Sequence, residues 1–74
     1  MERNTRTTIS ELKKGDRFYF PADKKKIVYE IVCTTAPRGF YYNRINAYGY
    51  KMLTHDVWVS TEKEAIFLRH KNGI

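Results

Sequence analysis

Cysteine, histidine, proline and glycine are all scarce in this 74-residue chain, at one, two, two and four copies. Each scarcity removes a class of chemistry. One thiol, Cys33, cannot form an intramolecular disulfide, so no covalent staple is available. A zinc site takes about four clustered ligands, or three with an open position. Cys33, His55 and His70 are too few and too widely spaced to supply them, and are expected to be one core thiol and two surface imidazoles. Four glycines leave no phosphate-cradling loop, dinucleotide fingerprint or nucleophile elbow. No apolar run reaches the length of a signal h-region or a membrane span, so the expectation is a cytoplasmic protein without membrane contact. No internal repeat is evident.

The remaining composition is that of a small folded domain. With 42% hydrophobic and 15% aromatic residues the chain is too apolar for disorder, and its large rings bury much area per residue. Its length allows one domain, as a monomer or small homo-oligomer. The formal charge is +6, which favours polyanions at low salt. That excess is spread along the chain, and no segment is a basic tail.

Residues 1–8 have no apolar side chain after Met1 and read as a flexible N-terminal segment ahead of a single domain at 9–74. Ile9 to Asp16 reads as a short helical or 3-10 turn around 10–14: Ser10 can cap it, Leu12 points inward, and Gly15 can take the positive φ that ends it. Next comes the ribbon on which the chain is organised. Gly15 to Phe20 and Ile27 to Cys33 alternate with period 2, placing Phe18, Phe20, Ile27, Tyr29, Ile31 and Cys33 on one inner face. Between them Pro21 to Lys26 forms a polar tongue.

Thr35 to Gly39 reads as a turn, Phe40 to Asn46 and Tyr50 to Thr54 as a second hairpin, and His55-Asp56 as a bend. In Val57-Trp58-Val59-Ser60 the valines share one side and Trp58 takes the other. Residues 61–69 are ambiguous. Thr61-Glu62-Lys63-Glu64 matches a capping box that opens a helix, whereas Ala65 to Leu68 suits a buried strand closing on the ribbon through Ile66 and Leu68. The strand is favoured. The expected fold class is therefore all-β, a small barrel of five to six short antiparallel strands.

Leu12-Lys13-Lys14-Gly15-Asp16-Arg17-Phe18, then Val28-Tyr29-Glu30-Ile31, Val57-Trp58-Val59 and Phe67-Leu68, resemble small single-domain proteins encoded by bacteria, their phages and mobile elements. The likeness spans most of residues 9–70 and implies a bent SH3-like barrel. It implies no catalytic residues.

Chemistry offers little. On the inner face Cys33 would have its pKa raised, which argues against a Cys33–His55 nucleophilic pair. No catalytic, cofactor or metal residues are expected. Surface recognition remains. Arg17 and Tyr19 alternate out of the first strand, Trp58 faces away from the valines, and Tyr41 and Tyr48 lie near Arg38 and Arg44. These seven residues are candidates for binding an unidentified protein partner, because Trp, Tyr and Arg dominate interface hot spots. The alternative is a single-stranded nucleic acid, with bases stacked on the aromatics and Lys24, Lys25 and Lys26 as phosphate contacts.

Overall fold

The computed structural model describes residues 1–45 and 55–73. Six strands, β1 (Thr5–Thr8), β2 (Asp16–Tyr19), β3 (Tyr29–Cys33), β4 (Gly39–Arg44), β5 (Val57–Ser60) and β6 (Glu64–His70), accompany one 3-10 turn at Ile9–Glu11. All strand pairs are antiparallel, in one sheet of order β1-β6-β2-β3-β4-β5. The described residues contain no α-helix, and therefore no helix long and apolar enough to cross a membrane. The ambiguous C-terminal stretch is a strand. The expected Tyr50 to Thr54 strand lies outside the described residues.

One face of the sheet carries the core. Phe18 sits opposite Tyr29 on β3 and Phe67 on β6, Ile31 opposite Tyr42, and Phe40 opposite Val59. Phe18, Ile31 and Ile9 are fully buried, each contributing about 1.5–3 kcal/mol. Phe18, Phe20, Tyr29 and Tyr42 form a four-ring cluster with centroids 4.9–5.9 Å apart, mostly edge to face or tilted. Burial, and after it the neighbouring Tyr29, pushes the Tyr42 phenol above its ordinary pKa. Ile9 and Leu12, on either side of the 3-10 turn's polar residues, join this core.

Several expectations are corrected. The sheet is not closed: β1 and β5 are its edges among the described strands, so the SH3-like barrel is not completed there. β1 ends when the chain turns at Ile9, and the Ile9 and Ser10 N–H groups donate to the Lys63 and Thr61 carbonyls of the β5–β6 turn at 2.9 and 3.0 Å. Thr5–Thr8, assigned to the flexible segment, is an edge strand paired with β6. Its β-branched threonines suit a pleated, half-exposed position without supplying an apolar signal. The 3-10 turn has no side-chain cap: Ser10 instead meets the Thr8 hydroxyl at 2.7 Å. Gly15 does adopt φ +93° as expected.

Face assignments shift wherever the ladder slips. β6 buries Ala65 and Phe67 rather than Ile66 and Leu68, because Ile66 pairs with Tyr19 on the opposite face. A bulge follows at Arg17/Phe18, where Arg17 meets Arg69 and Phe18 meets Phe67, leaving Leu68 as the extra residue. A second irregularity between Ile31 and Cys33 sets Cys33 beside Tyr41, which takes it off the core face. Val59 is buried but Val57 is exposed, because it begins the edge strand.

Candidate functional site

The outer face is read along the same register. Across β2, β3 and β4 run Arg17, Glu30 and Asn43, and Asn43 donates to Asp56 Oδ1 at 3.1 Å just before β5. Arg17 Nε lies 3.4 Å from Glu30 Oε1, and both side chains are largely removed from solvent. Their charges offset one another. On one side of this polar row Tyr19 faces Ile66, and on the other Tyr41 faces Trp58.

On the Tyr41–Trp58 side two large apolar side chains stand exposed, Trp58 at 48% and Tyr41 at 37%, while Val57, 47% exposed, begins the same strand on the other face. Yet Trp58 is not loose. Its indole crosses diagonally onto Gly39, where any Cβ would overlap Nε1 and Cε2, and Nε1–H donates to the Pro37 carbonyl at 3.4 Å. The β3–β4 turn supplies the rest of the site. Gly39 N–H donates to the Ala36 carbonyl at 3.4 Å, with Pro37 and Arg38 between. Arg38 holds φ +55°, a left-handed position that glycine usually occupies. Arg38, Trp58, Ser60, Thr61 and Glu62 line one shallow depression.

Of the seven predicted partner-binding residues, Arg38, Tyr41 and Trp58 therefore come together. Arg17 and Tyr19 share the outer face with them, Arg17 bound to Glu30. Arg44 sits opposite Tyr29 at the far end of β4, on the core side of the sheet. Tyr48 lies outside the described residues. Lys24, Lys25 and Lys26 are exposed in the β2–β3 loop, with Lys26 Nζ 5.9 Å from the Tyr19 ring centroid. Glu30 and Gly39 had not been singled out. Only Gly39 carried a sequence signal, as a glycine following a Pro-x turn.

Cys33 is half-exposed rather than a core thiol. Its Sγ is 3.1 Å from the Thr35 hydroxyl, and that contact, with the Thr35 backbone N–H, lowers its pKa below the ordinary thiol value instead of raising it. His70 Nδ1 accepts the Asn72 N–H at 3.1 Å, so Nε2–H donates to the Lys14 carbonyl, also at 3.1 Å. His55 is exposed just ahead of β5. Among the described residues no three His, Cys, Asp or Glu side chains gather as metal ligands. Comparison with protein families, characterised proteins and solved structures finds no match to this chain.

Proposed function

We propose that this protein is a noncatalytic interaction module that docks a protein partner through Trp58, Tyr41 and Arg38. The observation that carries it is a half-exposed indole held against Gly39 on a strand that is an edge among the described strands and whose four residues include no charge and no proline. Edge strands left without such guards pair readily with an extended segment of another chain. A ring already fixed by Gly39 and Pro37 loses little side-chain entropy on binding, which is how aromatic hot spots gain affinity. The patch is separated from the lysine tongue by the Arg17–Glu30 row, so its character is apolar rather than cationic. The SH3-like likeness and an origin in phages or mobile elements belong to the same proposal, with the β5 edge as the surface a partner would cover.

Replacing Tyr41 with a photo-crosslinking phenylalanine analogue and capturing partners from a bacterial extract at high salt tests it. The expected result is a protein adduct that unlabelled wild type competes away and folded Trp58→Ala does not. Equal competition by Trp58→Ala, or adducts only with nucleic acid, would refute it.

A further inference from the structure

We propose that the β2–β3 tongue is a preformed contact for single-stranded nucleic acid, with Lys24, Lys25 and Lys26 meeting phosphates and Tyr19 presenting its ring to an unpaired base. This surface uses none of the residues assigned to the protein-docking edge, so the two readings stand or fall separately.

The tongue is built around Asp23. The Asp23 N–H donates to the Phe20 carbonyl at 3.0 Å, and the Lys26 N–H returns to the Asp23 carbonyl at 3.2 Å. The Asp23 carboxylate accepts the N–H groups of Lys25 at 2.9 Å and Ile27 at 3.2 Å. The loop's one acid is thus turned onto its own backbone, and three adjacent ammonium groups are left facing solvent. Lys26 sits at φ +52°, a conformation a long side chain seldom adopts, and this brings Nζ over Tyr19. From the β5–β6 turn Lys63 reaches over Phe20, 4.9 Å from the ring centroid, and the nearby Glu64 is engaged by Arg6. Lys26 and Lys63 thus lie over two rings of neighbouring β2 residues, Tyr19 and Phe20, while the Asp23 and Glu64 carboxylates are each bound within the protein.

Adjacent lysines repel one another, and a phosphate chain relieves that repulsion while releasing its own counterions. The aromatic neighbour favours nucleic acid over other polyanions. Tyr19 stands on the outer face beside Ile66 with the Lys26 ammonium over its ring, and a base that stacks there takes the place of that ammonium, which then pairs with the phosphate. A single strand is selected because bases in a duplex keep their π faces stacked on one another.

The probe is a fluorescent oligo-dT followed by anisotropy across salt, beside an equal-length duplex and heparin. Replacing Lys24, Lys25 and Lys26 together by Gln should flatten the salt slope by about 2, at about 0.7 per phosphate, so that a fourfold rise in salt costs wild type about 20-fold more affinity than the variant. Tyr19→Leu should weaken oligo-dT binding about fivefold or more at unchanged slope, whereas Tyr19→Phe leaves it intact. Trp58→Ala should bind as wild type does. Circular dichroism confirms that each variant is folded. The proposal is overturned by absence of oligo-dT binding at low salt, by a wild-type slope in the triple variant, or by loss of binding in Trp58→Ala. Equal affinity for heparin with no effect of Tyr19→Leu also overturns it, by making the tongue a general polyanion surface.

Discussion

Replacing Gly39 with alanine tests whether the indole is held as described. Gly39 pairs with Ser60 at the end of the β4–β5 ladder, and Trp58 lies across it from the neighbouring strand. A methyl group there would collide with two groups of different freedom, the indole and a backbone carbonyl. The indole can swing out into solvent, but the Val59 carbonyl oxygen belongs to the strand backbone and cannot move without opening the ladder. Overpacking of this kind costs about 1–3 kcal/mol. A loss of about 2 kcal/mol lowers the melting temperature of a domain this size by roughly 8–16 °C. Thermal unfolding by far-ultraviolet circular dichroism gives the stability, and Trp58, the sole tryptophan, reports its own environment through a red-shifted emission. In a Trp58→Ala background the penalty should shrink by at least about 0.5 kcal/mol, as expected for residues in contact, but not vanish, because the Val59 carbonyl remains. Wild-type melting and emission in Gly39→Ala, or the same penalty in both backgrounds, would refute the packing.

Three further outcomes follow from the other polar contacts. Arg17→Met removes the guanidinium from beside the buried Glu30 carboxylate and should cost about 3 kcal/mol in denaturant unfolding, while Arg17→Met with Glu30→Leu recovers most of it; equal losses would show that the pair does not act as a unit. Asp23→Ala removes the acceptor of two backbone N–H groups, costs about 1 kcal/mol, and should raise the hydrogen-exchange rates of the Lys25 and Ile27 amides specifically. Since Thr35 lowers the Cys33 pKa, iodoacetamide should alkylate folded Cys33 with a lower midpoint than the same cysteine in the unfolded chain, and Thr35→Val should move that midpoint upward.

Alternation made the ribbon legible. Phe18, Phe20, Tyr29 and Ile31 announce a buried face in the sequence, and that is where the core lies. Trp58 was equally readable, since it must point away from Val59 once that valine is buried. What stayed hidden were departures from period 2. A bulge adds a residue without changing composition, so neither Cys33's transfer to the outer face nor the choice of Ala65 and Phe67 over Ile66 and Leu68 could be seen. Arg17 read as a free cation because its partner, Glu30, comes from another strand, and cross-strand pairing is fixed by register rather than by proximity in sequence. β1 escaped because a strand of threonines and one arginine buries too little to leave an apolar trace.

The position of β6 also bears on how the molecule folds. This strand, the last of the six in the chain, lies between β1 and β2. Among the described strands β1 pairs with β6 alone and waits for it, whereas β2 also pairs with β3 but leaves Phe18 without Phe67 beside it until β6 arrives. The hairpins from β2 to β5 can form as they are synthesised, but they remain an unfinished surface that lacks Ala65 and Phe67 from its core. Completion is a single late insertion that joins the two ends of the chain. Such distant pairings must meet the entropy of loop closure before any contact repays it, which places folding in the millisecond-to-second range typical of β topologies rather than the microseconds of helical bundles. During that interval the nascent chain is exposed to capture by chaperones and proteases, and removing β6 would leave it there permanently.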